Sequence, residues 1–309
     1  MKSVLITGIT CYIGRALAER LATGGVEVSG LVRAGSRVER LSAFADRLTL
    51  YETDGSQASL DEALQASRPD AVIHLAGYYV FQHTAEQAAR LVDTNVLLGT
   101  RLLEAAKRAG VSKWVNAGSH FQYFESPTPR PLNLYAVTKQ AFQDILSYYG
   151  REEGLDYLNL IIFESYGPGD WRSKLIQAIA QAQRKGEPLG MVAGDPVMDF
   201  AYIDDIVGAF IHAARLLQTD AAACRGGSFA LSGGERLKIS RLVKVFEEVG
   251  GRPIATEPRE DPPGVRRVFE PWQGPSLPGW SPKIPLREGV RRFLDDVNGG
   301  VSAPARKGS

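Results

Sequence analysis

An α/β fold, a doubly wound parallel sheet with a smaller and irregular C-terminal lobe, is predicted by three features of the 309-residue sequence. Short, nearly continuous apolar runs alternate with longer amphipathic stretches through the first half, the pattern of strands covered by helices on both faces. A glycine-bearing turn joins the first apolar run to the first amphipathic stretch. Past Tyr166-Gly167-Pro168-Gly169 the alternation gives way to segments broken by Gly and Pro. Taken in order, Ser3 to Thr7 is a buried strand and Ile13 to Thr23 a helix with Ala16, Leu17 and Leu21 turned inward. Glu27 to Val32, Leu48 to Glu52, Ala71 to Leu75, Lys113 to Ala117 and Tyr157 to Phe163 supply five more strands. Glu86 to Arg108 and Leu134 to Glu153 are the longest of the intervening helices.

In the second half, Arg172 to Arg184 predicts a helix, Lys185 to Asp195 a broken segment, Ile203 to Leu217 an apolar helix and Ser228 to Leu231 a short strand. Prolines at 253, 258, 262, 263, 271, 275 and 278 set turns before a last helix around Leu286 to Val297. The expected division is a Rossmann-type dinucleotide-binding domain over 1–165 plus about 201–232, and a substrate-binding lobe over about 166–200 and 233–298. Residues 299–309, rich in Gly, Ser, Ala and Lys without apolar periodicity, form a flexible tail. The sequence holds no internal repeat.

Composition narrows the function classes. With 44% hydrophobic and 23% charged residues and a formal charge of +1, the chain has an ordinary enzyme's balance and no electrostatic footprint for nucleic acid or a membrane surface. No apolar run approaches the ~20 residues that span a bilayer, and Met1-Lys2-Ser3-Val4-Leu5-Ile6 enters a strand at once, without a signal peptide's layout. Two distant cysteines, Cys11 and Cys224, suit a reduced, cytoplasmic setting. His74 is expected to end a strand, and His83 and His212 lack partners at metal-ligand spacing, so no metal site is expected.

Thr7-Gly8-Ile9-Thr10-Cys11-Tyr12-Ile13-Gly14 closes the first strand and opens the first helix, the context of a dinucleotide-binding turn. Gly8 lets the chain reverse, Gly14 lets helix and strand pack closely, and the helix N-terminus between them faces a pyrophosphate. Cys11 stands where a middle glycine is expected, and its Cβ pushes toward the pyrophosphate. At the end of the second strand, an acidic residue would accept hydrogen bonds from a ribose 2′-hydroxyl. This chain has Leu31-Val32-Arg33-Ala34-Gly35-Ser36-Arg37, whose two guanidiniums and hydroxyl suit a 2′-phosphate, so NADP is expected ahead of NAD.

Tyr135-Ala136-Val137-Thr138-Lys139 places a phenol and an ammonium one helical turn apart on one face. A free tyrosine titrates near 10, and a fixed cation favours the phenolate and brings that value toward the working range.

With a cofactor turn upstream of this pair, the chain resembles the extended short-chain dehydrogenase/reductase family of nucleotide-sugar epimerases, dehydratases and reductases. The motifs run in order from Val4 to about Phe293. They comprise Thr7-Gly8 with Gly14, Asp54, His74-Leu75-Ala76-Gly77, Asn95 with Gly99-Thr100, Ser119, Tyr135, Lys139 and Tyr166-Gly167-Pro168. Asp199-Phe200-Ala201-Tyr202-Ile203-Asp204-Asp205 and Gly279-Trp280-Ser281-Pro282 close the set. The resemblance implies a cofactor site of Gly8, Thr10, Cys11, Tyr12, Ile13, Gly14, Arg33, Ser36, Arg37, Asp54, Gly55, Leu75, Ala76, Gly77, Asn95, Tyr135 and Lys139. Asp54 would meet the adenine amino group. It also implies a catalytic set in which Ser119 hydrogen-bonds the substrate oxygen, Tyr135 exchanges the proton, and Lys139 holds the nicotinamide ribose and lowers the phenol's pKa. Two donors facing a developing oxyanion suit that chemistry, each worth roughly 10²–10³ in rate.

Val115 to Tyr123 leading to Asn133-Leu134-Tyr135 is similar, within that family, to reductases of nucleotide-linked 4-keto-6-deoxyhexoses of the CDP-abequose synthase type. A dehydratase of this family carries an Asp-Glu pair after the catalytic hydroxyl residue; His120 and Phe121 stand there. A deprotonating Cys-His pair is also missing, since the cysteines lie in the cofactor turn and a late segment. The expectation is an NADPH-dependent reductase of the keto group, at C4, of a nucleotide-activated deoxysugar. The alternatives are a nucleotide-sugar 4-epimerase and a non-catalytic dinucleotide-binding regulator. His120 contacts substrate, relays a proton or packs; Phe121, Tyr123 and Phe124 wall a sugar or base, or belong to the core. Arg172, Lys174, Arg266 and Arg267 are the lobe cations available to the nucleotide phosphates or to solvent, while Met198 stands where many relatives place an arginine. Family members often dimerise through helices matching Glu86 to Arg108 and Leu134 to Glu153, and a homodimer is a possible assembly; apolar faces there serve equally as core.

Overall fold

The computed structural model describes residues 1–261 and 264–299. Of the tail expected over 299–309, Gly299 instead ends the last helix and the remainder, like the turn at Pro262 and Pro263, lies outside them. The chain divides into two compact units, one of Met1–Ile162, Ile206–Leu231 and Trp272–Ser281, the other of Phe163–Asp205, Ser232–Pro271 and from Pro282 onward.

The first unit is built on strand–helix alternation. It runs through β1 (Ser3–Thr7), α1 (Tyr12–Thr23), β2 (Glu27–Val32), β3 (Leu48–Glu52), α2 (Gln57–Ser67) and β4 (Ala71–His74). Then come α3 (Ala85–Val92), α4 (Leu98–Arg108), β5 (Lys113–Ser119), α5 (Leu134–Glu152) and β6 (Asp156–Ile162). β1 to β6, together with a late strand at Ser228–Leu231, form one all-parallel seven-stranded sheet. Its order runs from the late strand through β6, β5, β4, β1 and β2 to β3. β1 lies between β2 and β4, so the strand order reverses beside it, the place where open α/β sheets bind ligands. Leu5, Val72, Trp114, Leu102 and Phe142 fill the core on one side of the sheet.

Most elements fall within a residue or two of the expectation, and the differences concern the site. β4 ends at His74, so Leu75 begins the loop, and β5 runs to Ser119, making the serine the strand's last residue. The expected helix from Glu86 to Arg108 is interrupted by a π turn, Asp93–Leu97, between α3 and α4. Trp272–Ser281, from the Pro-rich stretch assigned by sequence to the lobe, belongs to the first unit. There Trp272 stacks on Tyr123 at 3.9 Å and donates to the Pro127 carbonyl, which makes Tyr123 a core residue.

The second unit contains β7 (Glu164–Tyr166), α6 (Leu175–Lys185), β8 (Leu189–Val192) and β9 (Val197–Tyr202). α7 (Ile203–Thr219) starts here and continues into the first unit, where β10 is the late strand Ser228–Leu231. β11 (Arg236–Lys238), α8 (Ile239–Gly250), β12 (Thr256–Arg259) and α9 (Leu286–Gly299) complete it. β7, β9 and β11 form one small sheet, β8 and β12 another. Strands of three or four residues carry too little alternation to announce themselves, so β8 read as part of a broken segment. Two carboxylates of the Asp199–Asp205 segment act inside this unit. Asp199 accepts from Gly233 N and Arg236 Nε, and Asp205 from the backbone N–H groups of Lys283 and Ile284. No helix among the described residues is long and apolar enough to cross a membrane.

Candidate active site

The turn after β1 needs its glycines. Gly8 has φ +68°, and a Cβ there would lie 2.8 Å from Ala76 N; one on Gly14 would lie 2.3 Å from the Gly8 carbonyl oxygen. Backbone therefore packs on backbone among the turn, the start of α1 and the Leu75–Gly77 loop. Cys11 adopts ordinary extended geometry (φ −75°, ψ 167°) as the N-cap of α1, with its Sγ accepting from Gly14 N at 3.2 Å. Its side chain is thus committed to the helix end. Tyr12 and Ile13 bury their side chains, so their contribution to a ligand is through backbone N–H groups at the helix start. Glycines that forbid a Cβ at a helix N-terminus fit a dinucleotide.

Thr7 ties the two loops together. Its Oγ1 lies 2.9 Å from His74 Nδ1 and accepts from Ala76 N. Burial, with Lys139 nearby, lowers the His74 pKa to about 3, which keeps the imidazole neutral.

Past β2, Arg33 N donates to Ser36 Oγ and Ser36 N to the Arg33 carbonyl, closing a tight loop whose Arg33 and Arg37 side chains are exposed. Sequence reasoning missed Arg40. It sits on the 3₁₀ segment Val38–Arg47, half-buried, with Nη1 3.4 Å from the Thr10 carbonyl oxygen. Desolvation, then Arg37, lower its pKa, with Glu39 opposing. Past β3, Asp54 accepts from Ser56 N and Ser59 Oγ at the start of α2, and the Ser56 side chain, the Ser56 N–H and Ser59 hold its pKa at about 2. Gly55, with φ +79°, follows, its carbonyl accepting from Arg101.

Asn95, on the π turn, locks the loop after β4. Its Oδ1 accepts from Tyr78 N at 2.7 Å, and its Nδ2 donates to the Tyr78 carbonyl and to Thr138 Oγ1. Thr138 in turn donates to the Tyr135 carbonyl, so the loop is linked to α5 through one buried amide.

Ser119 ends β5, and Tyr135 and Lys139 lie one turn apart on α5. Desolvation raises the Tyr135 phenol pKa to about 12 against the opposing pull of the Ser119 side chain, and lowers the Lys139 ammonium to about 8. In the free protein the phenol is therefore a retained proton, opposite to the downward shift that a neighbouring cation alone would give. Gln122, also missed from sequence and fully buried, fixes the serine. Its Oε1 accepts from Ser119 N, while its Nε2 donates to Gln140 and Gln143 of α5. His120 is buried, its ring centroid 4.2 Å from that of Phe121. Phe124 is buried like Tyr123, whereas Phe121 is half-buried and stacks on Tyr79.

In the second unit, Arg172 forms a two-pronged pair with Asp170 and donates to the Ser165 carbonyl, and Lys174 pairs with Glu164 at 2.7 Å. Arg267 pairs with Asp261, and Arg266 is exposed in a loop. Among the described residues no group of three His, Cys, Asp or Glu side chains is placed to hold a metal ion.

A family model, NAD dependent epimerase/dehydratase family, matches residues 4–223. CDP-abequose synthase of Yersinia pseudotuberculosis is 28% identical over 211 residues, covering 68% of this chain and 72% of that protein. GDP-6-deoxy-D-mannose reductase of Pseudomonas aeruginosa is 26% identical over 317 residues, covering 95% and 96%. The crystal structure of Thermus thermophilus UDP-glucose 4-epimerase in complex with NAD matches with a TM-score of 0.80 and 27% identity, covering 97% of this chain and all of that one.

Proposed function

The chain belongs to the NAD dependent epimerase/dehydratase family, the extended short-chain dehydrogenase/reductases, as an NAD(P)-dependent nucleotide-sugar-modifying enzyme, and from that premise we propose that it reduces the C4 keto group of a nucleotide-activated deoxysugar with NADPH. The observation that carries this reading is the basic segment past β2, where Arg33, Ser36, Arg37 and Arg40 follow within eight residues, Arg40 reaches the Thr10 carbonyl, and no acidic residue occupies Arg33 to Val38. Such a loop suits a 2′-phosphate, and a reductase consumes reducing equivalents that cells hold mainly as NADPH.

The bound dinucleotide would supply the hydride. Gly8 to Gly14, Asp54, Gly55, Leu75 to Gly77, Asn95 and the basic loop would hold it, with Lys139 at its ribose. Ser119 and Tyr135 donate to the ketone oxygen as negative charge grows there, and Tyr135 delivers its proton to that oxygen. Lys139, charged at neutral pH with a pKa of about 8, stabilises the phenolate that remains. Arg172, Lys174 and Arg266 are the proposed phosphate contacts in the second unit. A 4-epimerase is the second reading, favoured by the likeness to an NAD-bound 4-epimerase.

One incubation separates them: enzyme, NADPH and nucleotide 4-keto-6-deoxyhexoses, followed by absorbance of the reduced nicotinamide. Stoichiometric oxidation supports the reductase; interconversion of sugars without oxidation overturns it. Arg33→Ala and Arg40→Ala are each expected to weaken NADPH roughly 10-fold or more, a charge-assisted bond's worth, while sparing NADH. Equal losses for both cofactors would show that the loop does not recognise the 2′-phosphate. Val92, Leu97, Val137 and Tyr148, exposed on α3, its π turn and α5, support a homodimer through these helices. Sedimentation at twice the 33.6 kDa chain mass is expected, and a monomer at micromolar concentration would dismiss it.

A further inference from the structure

The loop after β4 carries four aromatic-rich residues, Tyr78-Tyr79-Val80-Phe81, and both of its ends are fixed. Tyr78 is held through its N–H and its carbonyl by the Asn95 amide. The Phe81 carbonyl accepts from Asn133 Nδ2 at 3.0 Å, and Asn133 is itself the N-cap of α5, with Oδ1 accepting from Ala136 N. The segment is thus tied to the helix that presents Tyr135.

Between those anchors the Tyr79 ring remains 54% exposed. It is nonetheless not a loose side chain. It lies nearly parallel to Phe121 at 6.4 Å and 15°, and meets the Tyr135 ring edge-on at 4.9 Å and 89°. Phe81 meets Phe121 edge-on at 5.9 Å. A folded chain gains nothing by holding a large apolar ring rigid and wet. The same arrangement lowers the entropy cost of binding whatever covers it. Continuity with the Tyr135 ring sets the platform beside the atoms at which that phenol acts.

We infer that Tyr79 and Phe121, backed by Phe81, form an aromatic platform that binds the deoxygenated, C–H-rich face of the hexose, and thereby selects a 6-deoxy sugar over its 6-hydroxylated counterpart. This rests on the nucleotide-sugar reading above and names the substrate feature recognised beside Tyr135. Aromatic faces bury C–H surface without offering a hydrogen-bond partner to a hydroxyl. A hydroxymethyl group against these rings would lose water without replacing it, whereas a methyl would lose nothing. Discrimination in an apolar pocket of this kind is moderate, on the order of 10–100-fold.

The test is calorimetric and independent of turnover. Enzyme loaded with NADPH is titrated with matched pairs of uridine, thymidine, cytidine and guanosine diphosphohexoses that differ only in a 6-methyl or 6-hydroxymethyl group. The wild-type protein is expected to bind the 6-methyl member of one pair about 10–100-fold more tightly. Tyr79→Ala and Phe121→Ala are expected to remove most of that difference and leave the NADPH dissociation constant unchanged, while Tyr79→Phe keeps both. Circular dichroism and melting confirm that the variants fold. Persistence of the difference in both alanine variants would overturn the platform, as would its absence from the wild type. A shift in NADPH affinity equal to that in sugar affinity would overturn it too, because the rings would then line the cofactor. Failure of every pair to bind would remove the nucleotide-sugar reading itself. Discrimination without NADPH oxidation of any ketone would instead remove the reductase and leave the platform standing.

Discussion

Tyr135→Phe is expected to lower kcat for ketone reduction by roughly 10²–10⁴-fold, the contribution of a positioned proton donor, with cofactor affinity unchanged. The expectation rests on the protonation state found at the site. With its pKa at about 12, the phenol carries its proton at every physiological pH and is poised to give it. Removing the hydroxyl would leave the ketone oxygen with one donor, Ser119, instead of two. A second readout follows from Lys139. Its charge is lost as pH rises through about 8, and with it the cation that would stabilise the phenolate left on Tyr135. kcat/KM for reduction in the wild type should therefore fall above about pH 8, and Lys139→Met should have a low rate at neutral pH without that fall. Turnover of Tyr135→Phe near the wild-type rate would dismiss the phenol as proton donor.

Gly14→Ala is the second large effect. The added Cβ would sit 2.3 Å from the Gly8 carbonyl oxygen and 2.9 Å from Ile9 Cα, both backbone atoms of a buried turn that cannot swing aside. Overpacking of this kind costs about 1–3 kcal/mol, which for a chain of this size lowers Tm by several degrees. The shift must be taken up by the turn or by α1, and either displaces Gly8, whose own position is set by the Leu75–Ala76 backbone. NADPH binding, followed by fluorescence, should be lost or weakened by at least ~10-fold, more than the stability loss alone would produce. An unchanged affinity would show that the turn does not bear on the cofactor.

The parallel sheet was readable because strands buried on both faces are apolar from end to end, as in Val4-Leu5-Ile6 and Ala71-Val72-Ile73. The glycine turn and the Tyr135…Lys139 spacing were readable because a left-handed backbone and a one-turn offset each demand a residue type at a fixed place. Gln122 and Arg40 were not, for a different reason. Gln122 acts by reaching Gln140 and Gln143, which lie 18 and 21 residues away, and no local pattern marks a buried amide. Arg40 reaches Thr10 across 30 residues, from a 3₁₀ segment too irregular for periodicity to reveal which side chain turns back. Cys11 was legible as a departure but not in its remedy, since only the folded turn shows Sγ satisfying Gly14 N. Tyr123 and Phe124 joined the core because Trp272, distant in sequence, closes over Tyr123.

The π turn at Asp93–Leu97 is best understood as a matter of phase. α3 and α4 are two lengths of one rod, and each residue advances an α-helix by about 100°. The widened turn slips the rod so that Leu91 faces the interior on one side of it while Asn95 faces Tyr78 and Thr138. Deleting one residue there would restore a regular helix and rotate everything before it by that same ~100°, carrying Leu91 off the core or the Asn95 amide away from Tyr78. Hydrogen exchange at the Tyr78 N–H reads the outcome directly: it should quicken in the deletion variant, and an unchanged rate would mean that the timing of this helix does not govern the loop.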